Sequence, residues 1–428
     1  MPGAVSGYAG RRFRGVPSGR ERATVGRVGQ GMDGRSIGVR VRSARLGRGL
    51  TLETVAGLAG HSKSWLSKVE RGLLPLESRH DLAALAEALQ VSPVDLVGAP
   101  YDLPSEGGAA TAATIVQPVR LALLGLPDRA VPPVEVMRAD LETLTRLRQA
   151  HRLDAAARTA AGLLAGLRAA QSAGGRDVEE VLRLLVWCCY ETASLVRELR
   201  HPDLALLMAG LADEATAELA EPACLAVTEL VRVHTLSSVT VGAYTAAIEA
   251  GTAAADAVRP LAGTEALAGY GSLMLSISYA LAVTGRGRDA LDRITEAGRV
   301  ADRLTEPTDM ARHLAFSAPG IGLHRLSVAV ELGDPDAALT AASRIEPERL
   351  PYQARRASYW LDLGRAHSAL RDDREAVAAF RRAEQIAPLR LRMHPLAREA
   401  VAGMLGRAQR AAVGRDLRGL AHRMGMPH

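Results

Sequence analysis

The stretch that decides the fold runs from residue 51 to residue 72 and reads TLETVAGLAGHSKSWLSKVERG. Thr51 has the right side chain to cap a helix, and Gly60 can adopt the left-handed backbone conformation that ends one. Ser62 can cap a second helix in the same way, with Leu66 facing inward. The stretch therefore predicts two short helices joined by a tight turn.

Three further short helices are expected around this pair. The first begins near residue 36 and ends at residues 47–49, and the fourth covers residues 78–89. Ser92 and Pro93 open a fifth, because serine caps helices and proline favours their first position. The apolar residues at helical spacing are Ile37, Val41, Ala44 and Leu46 in the first helix and Leu82, Leu85 and Leu89 in the fourth.

The segment from Ser36 to Gly98 resembles the Xre-type, or phage-repressor-like, helix-turn-helix family. The residues that carry the resemblance are 51–60, 62–72, 82–89, 91 and 92. It implies an all-α fold with a five-helix DNA-binding domain over residues 35–98, which we call the head. It also implies a partly buried ion pair between Arg45 and Glu70 that joins the first and third helices.

The family's DNA contacts fall on the third helix and on arginines around it. The N-terminal residues of that helix enter the major groove, where lysine can donate to guanine O6 and N7. The base candidates are Lys63, Ser64, Ser67 and Lys68, and the phosphate candidates are Arg40, Arg42, Arg48, Arg71 and Arg79. For either lysine the alternative is a phosphate contact or a solvated side chain, and Lys68, further from the N-terminal end, fits that alternative better.

Composition favours a nucleic-acid-binding head. Lys63 and Lys68 are the only lysines among the 53 lysines and arginines of the chain. Residues 1–100 hold 15 basic and 8 acidic residues, a net charge of +7, whereas the remainder is nearly neutral. A positive excess confined to one module is the electrostatic footprint of a polyanion-binding domain.

Segments without hydrophobic periodicity flank the head. Residues 1–34 are rich in glycine and arginine, and we expect disorder there. Translation that begins at Met32 is a second possibility for this end of the chain. Residues 99–118 have the composition of a linker between the head and the C-terminal part of the chain.

Residues 119–428, which we call the body, form a long series of Ala- and Leu-rich amphipathic helices broken by short turns. Trp360, Gly364, Phe380 and Pro388 fall at the spacing of a tetratricopeptide repeat, so the segment resembles that family. Helical hairpins of this kind stack into a solenoid, because each must bury its apolar face on its neighbours. A non-repeating helical bundle is the alternative.

The sequence carries no motif for catalysis, a cofactor or a metal. It has no Gly-x-x-x-x-Gly-Lys-Ser/Thr phosphate loop, Gly-x-Ser-x-Gly elbow or His-Glu-x-x-His zinc motif. Cys188, Cys189 and Cys224 have no metal-binding spacing and are expected to be buried. Because no run of 18 apolar residues is uninterrupted, we expect a cytoplasmic protein without a membrane span.

These features predict a sequence-specific transcription regulator that binds double-stranded DNA as a homodimer on two half-sites. Regulators that combine these two domains often dimerise through the body, and in some the concave face of the body binds a signalling peptide. A peptide or protein effector is therefore a further expected partner, with Tyr279, His324, Arg325, Arg356 and Tyr359 as unassigned candidates for that face. The rival prediction is a tetratricopeptide-like interaction scaffold whose helix-turn-helix no longer reads DNA.

Overall fold

A computed structural model of the chain describes residues 37–97, 108–125, 131–219, 221–239, 243–261, 263–408 and 414–426. The predicted disordered tail of residues 1–34, the alternative start at Met32 and the first half of the predicted linker lie outside the described residues. Every regular element within the described ranges is a helix, which confirms the predicted all-α fold.

The described residues form five helices in the head and seventeen in the body, with a 3-10 turn at Pro347–Arg349. The head helices are α1 (Ile37–Gly47), α2 (Leu52–Leu58), α3 (Lys63–Glu70), α4 (Arg79–Leu89) and α5 (Pro93–Val97). The body helices are α6 (Gly108–Leu123), α7 (Val134–Gln149), α8 (Leu153–Ala173), α9 (Val178–Glu198), α10 (Pro202–Leu219), α11 (Pro222–Val239), α12 (Ala243–Val258), α13 (Thr264–Val283), α14 (Gly287–Arg303), α15 (Asp309–Leu314), α16 (Ala318–Glu331), α17 (Pro335–Ala342), α18 (Gln353–Ala369), α19 (Asp373–Ile386), α20 (Pro388–Arg392), α21 (Pro395–Ala408) and α22 (Gly414–Arg423).

Polar caps start the two motif helices where the sequence predicts them. The Thr51 hydroxyl accepts a hydrogen bond from the Thr54 backbone N–H at 3.1 Å, and the Ser62 hydroxyl accepts one from the Trp65 backbone N–H at 3.2 Å. Gly60, between the two helices, has a φ of 73°. Because side chains disfavour positive φ, a glycine at this position allows the tight turn.

The core of the head contains the residues that the periodicity predicts, with one exception. The predicted core residues Ile37, Val41, Leu66, Val69, Leu82, Leu85 and Leu89 are all buried. Leu46 is 58% exposed, so its assignment to the apolar face of α1 is wrong. The buried positions of α1 follow a spacing of four residues that ends at Arg45, and Leu46 lies about 100° further round the helix.

The helices of the body pack as stacked hairpins. Neighbours in the chain, such as α9 with α10 and α18 with α19, pack against each other. Helices α9, α11, α13, α16, α18 and α21 also pack against one another in that order, and we call them the central row. A row made of helices from successive hairpins is what a solenoid produces, so the described body has the predicted tetratricopeptide-like architecture.

The predicted repeat around residues 360–388 forms the hairpin of α18 and α19. A Cβ atom on Gly364 would come within 2.6 Å of the Phe380 ring, so the two helices can be this close only because residue 364 is glycine. Phe380, Ala376 and Ala383 are buried in the same hairpin. The residues that identify the repeat in the sequence are therefore those that pack it.

Helix α6 begins inside the segment predicted to be a linker. Residues 108–118 are helical rather than extended, and the helix packs against α8. Ala112, Ile115, Val116 and Val119 are buried. Their spacing of three and four residues is that of an amphipathic helix, which the glycine and alanine content of the segment obscured.

The interior of the body holds one long apolar helix and all three cysteines. Among the described residues, α13 is the helix that is long and apolar enough to cross a membrane by length and composition. In the most apolar stretch of α13, 83% of the residues are buried inside the protein. The helix packs there against α12, α14 and α16. The cysteines are buried and unpaired, as predicted, and burial raises the pKa of the Cys188 thiol to about 12.

The head packs directly against the body through charged side chains. At the start of α4, the backbone N–H and the guanidinium of Arg79 both donate to the Glu331 carboxylate, at 2.9 and 2.6 Å. Arg365 from α18 donates to the same carboxylate at 2.9 Å. At the start of α1, the backbone N–H of Ile37 donates to the Glu399 carboxylate at 3.1 Å. The first and fourth helices of the head are thus both tied to the body.

Glu77, just before α4, is a second buried acid at this contact. Its backbone oxygen accepts a hydrogen bond from the Arg365 guanidinium, but both of its carboxylate oxygens are buried without a hydrogen-bond partner among the described residues. Burial raises the pKa of the Glu77 carboxyl from its ordinary 4.5 to about 7. The carboxyl is therefore held in an environment that disfavours its charged form.

The raised pKa of Glu77 makes the stability of the protein depend on pH. Between pH 4.5 and 7 the folded state holds a proton that the unfolded state has lost, so the free energy of unfolding falls as pH rises through this range. We expect the free energy of unfolding of Glu77→Gln to exceed that of the wild type by about 2–3 kcal/mol at pH 8. At pH 4.5 the two values should differ little. Urea denaturation at the two pH values measures this. An equal difference at both would contradict the assignment.

Candidate nucleic-acid interface

Helix α3 turns one face to the core of the head and the other to solvent. Leu66 is buried, whereas Lys63, Ser64 and Lys68 are exposed and Ser67 is half-buried. At 100° per residue the two lysines lie about 140° apart around the helix, with both serines between them. The four predicted base candidates therefore share one accessible face, which we call the α3 face.

Lys63 has an acidic neighbour on the adjoining helix. Its Nζ atom lies 3.7 Å from Oε2 of Glu53 on α2, and the two side chains are 64% and 81% exposed. An ion pair this exposed contributes at most about 1 kcal/mol and is screened by salt. A phosphate or a base can therefore displace Glu53 from Lys63 at little cost.

An ion pair beneath the α3 face fixes the helix in place. Arg45 Nε and Nη2 donate to the two Glu70 carboxylate oxygens at 2.6 and 2.8 Å, and Arg45 Nη1 donates to the Leu50 backbone oxygen at 2.9 Å. Both side chains of the pair are less than 10% exposed. Two parallel hydrogen bonds set the orientation as well as the distance of the pair, so α3 is anchored to α1 and to the loop after it.

An aromatic stack that the sequence did not predict supports the other side of α3. The His61 ring lies parallel to the Trp65 ring with 3.7 Å between centroids, and His61 Nε2 lies 2.8 Å from Oδ1 of Asp81 on α4. Trp65 is half-buried against the head core. The local sequence gave little signal, because His61 lies before the N-cap of α3 and outside any helix, whereas Trp65 lies in the first turn of α3.

The phosphate candidates divide into two groups. Arg42, Arg48 and Arg71 have exposed side chains, although Arg48 also donates to a backbone oxygen at the end of α4 and Arg71 to one within α3. For Arg40 and Arg79 the predicted phosphate contact is wrong, because both guanidinium groups are held by other parts of the protein. Arg40 donates to two backbone oxygens at the end of α5, both at 2.6 Å, and Arg79 is held by Glu331 in the contact with the body. These two guanidinium groups serve the fold, which the local sequence could not reveal.

The unassigned candidates for the concave face of the body lie in different environments in the structure. Tyr359 is buried in an apolar core, and Arg356 donates to backbone oxygens of the turn that precedes α18. Tyr279 donates to the carboxylate that joins head and body, and Arg325 is exposed. His324 lines a cavity in the body.

Comparisons with known proteins agree with the geometry of the head. Residues 36–97 match a family model described as a helix-turn-helix domain. No curated protein matches the chain. The chain is similar to the solved structure of PlcR from Bacillus thuringiensis in complex with the peptide PapR7 and DNA, at 12% identity and a TM-score of 0.32 over 80% of this chain and 98% of that one. It is also similar to a Rap protein complexed with Competence and Sporulation Factor, at 14% identity and a TM-score of 0.37 over 68% and 88% of the two chains.

The match and the geometry agree on the same residues. The five head helices, their caps and the exposed α3 face all lie within or at the edge of the matched range. Residues 36–97 are therefore a helix-turn-helix domain.

Proposed function

We propose that the chain is a sequence-specific transcription regulator that reads double-stranded DNA with the α3 face. The observation that carries the proposal is the face itself. Lys63, Ser64, Ser67 and Lys68 lie together on the second motif helix of a helix-turn-helix domain, above the Arg45 and Glu70 pair that holds the helix. A preorganised helix with donors and acceptors on its outer face suits the major groove, where each base pair presents a distinct pattern.

Within the face we assign different roles to the two lysines. Lys63 is the first residue of α3, at the end that enters the groove in this class of domain, so we propose that it contacts a base. Lys68 is a turn and a half further along, where a phosphate contact is the better assignment. Arg42, Arg48 and Arg71 would add phosphate contacts, which supply affinity without reading sequence.

The test begins by selecting bound duplexes from a random pool, because the operator is unknown. Lys63→Ala should then weaken binding to the selected duplex by about 1–3 kcal/mol and reduce discrimination against mismatched duplexes. Arg71→Ala is the control, since loss of a phosphate contact should weaken all duplexes about equally and lower the salt dependence. If Lys63→Ala behaves like Arg71→Ala, Lys63 is a phosphate contact. If selection enriches no sequence, the proposal fails and the scaffold alternative stands.

For the body we propose two roles, homodimerisation and the sensing of a peptide or protein effector. A dimer would place two α3 helices on half-sites about one helical turn apart and so use both modules for affinity. An inverted repeat among the selected duplexes, with weaker binding to a single half-site, supports the dimer. A regulator of this kind would act in the cytoplasm, and we assign it no catalytic step.

A further inference from the structure

A cavity of about 120 Å³ lies between helices of the central row. Its polar lining comes from Tyr190 on α9, His234 on α11, Ser272 and Ser276 on α13, His324 on α16 and Arg355 on α18. Five successive helices of the row thus each contribute at least one polar side chain. The volume accommodates several water molecules, and hence a carboxylate or a phosphate group.

Arg355 brings a positive charge to the cavity without a matching acid. Its guanidinium donates to the Leu314 backbone oxygen at 3.2 Å and lies 3.5 Å from His324 Nε2. Among the described residues no carboxylate is within ion-pair distance of it. A half-buried guanidinium without an acid is unusual, because charges withdrawn from water are normally paired.

His324 adds a hydrogen-bond donor that has no acceptor in the described part of the chain. Burial, with the nearby Arg355 charge, lowers the pKa of His324 to about 3, so the imidazole is neutral and carries one proton. Because a guanidinium can only donate, His324 Nε2 faces Arg355 as an acceptor and the proton belongs on Nδ1. His324 Nδ1 is buried and has no hydrogen-bond partner among the residues that the structure describes. Because that nitrogen is closed even to a water molecule, the Arg355 guanidinium is the group of this pair that a molecule in the cavity can reach.

Two acids of α9, the helix that carries Tyr190, are already paired with basic side chains. Glu191 is bound by Arg148 and His313, and Glu198 is bound by His151 and Arg390. Within the described ranges, a second arginine near His234 is also without an acid. This arginine, Arg197, donates to the Ser238 hydroxyl at 2.7 Å, and burial lowers its pKa to about 10. This part of the body therefore has a local excess of positive charge.

We propose that this cavity binds an anionic group, a carboxylate or a phosphate, at the Arg355 guanidinium. A guanidinium has five N–H donors, so an oxyanion can accept from those that Leu314 and His324 leave free, and the charges on both partners strengthen each bond. Tyr190, His234 and Ser276 complete a polar wall around the anion. The inference deepens the sensing role proposed for the body and rests on it, whereas it does not depend on how the head reads DNA.

The full-length chain is tested with two probes, inorganic phosphate and acetate, at constant ionic strength and without DNA. We expect one of them to raise the thermal midpoint saturably. Arg355→Met should weaken the apparent affinity at least about tenfold, since it removes the charge and keeps the apolar stem. Arg325→Met is the matched control, because Arg325 is exposed on α16, and it should bind like the wild type.

Two further variants keep the outcome interpretable. His324→Leu removes the acceptor beside the Arg355 guanidinium and should also weaken binding, although less than Arg355→Met does, so a second variant reports on the site if one of the two folds poorly. Lys63→Ala should leave binding unchanged, which separates the cavity from the DNA-reading face. A phosphate-only response identifies a phosphorylated ligand, and an acetate-only response identifies a carboxylate. No saturable response to either probe, or an equal loss in Arg325→Met, overturns the proposal, and neither result bears on DNA binding by the head.

Discussion

Glu331→Gln is expected to destabilise the protein by about 3–5 kcal/mol, because it removes the one carboxylate that two arginines share in the contact between head and body. The Glu331 side chain is 1% exposed and accepts hydrogen bonds from Arg79, Arg365 and Tyr279. Burial alone would raise the pKa of this carboxyl, but Arg365 and Arg79 lower it to about 2. The carboxyl is therefore charged at neutral pH. Its loss leaves the buried positive charges of Arg79 and Arg365 without the carboxylate that balances them.

Chemical denaturation of wild type and variant measures the effect. Glu296→Gln is the matched control, since Glu296 pairs with Arg299 on the surface of α14 and such pairs contribute at most about 1 kcal/mol. A double-mutant cycle with Arg79→Met then isolates the part that crosses from head to body. If Glu331→Gln and the control lower the free energy of unfolding equally, this network does not stabilise the contact between head and body.

Gly38→Ala is expected to cost about 3 kcal/mol and to weaken DNA binding as well. A Cβ atom on Gly38 would lie 2.0 Å from the backbone oxygen of Val69 and 2.9 Å from its carbonyl carbon. Since these atoms belong to the backbone of α3, no flexible side chain can move aside, and α1 must separate from α3. The separation would also strain the Arg45 and Glu70 pair, which joins the same two helices.

Gly47→Ala provides the control within the same helix. A Cβ atom on Gly47 would meet nothing within 4 Å, so alanine should be neutral or stabilise α1 by up to about 1 kcal/mol. Thermal unfolding gives the stability of both variants, and binding to a selected duplex gives the effect on α3. If Gly38→Ala is as stable as Gly47→Ala, the close crossing of α1 and α3 does not exist.

Much of the head could be predicted from the sequence, because its signals are local. A cap, a positive φ and an apolar spacing each depend on residues within about one or two helical turns, so Thr51, Gly60 and Ser62 marked their positions correctly. The assignment of Leu46 failed by one residue, since the periodicity of a short helix does not fix its phase. The arrangement of His61 on Trp65 was missed because Asp81, which lies within hydrogen-bond distance of the His61 ring, comes from another helix.

The sequence could not predict which basic side chains are free to contact a ligand and which are held by acids of the protein itself. Arg79 and Arg71 look equally suited to a phosphate in the sequence, yet the acid that holds Arg79 is 252 residues away along the chain. Similarly, His324 and Arg355 are ordinary polar residues of two helices until the hairpins stack and bring them to one cavity. Contacts over such separations depend on how whole helices pack.

The sequence by itself determined an all-helical protein with a helix-turn-helix head, the approximate limits of the head helices and the face that carries Lys63 and Lys68. These follow from composition and from spacings of three and four residues, which the backbone geometry of a helix imposes directly. Only the tertiary structure decided that Arg40 and Arg79 hold the fold together, that α6 belongs to the body, and that an arginine with no acid among the described residues lines a cavity. A charge is neutralised by what lies near it in space, and burial and distance arise only when the hairpins are stacked and the head is docked on them.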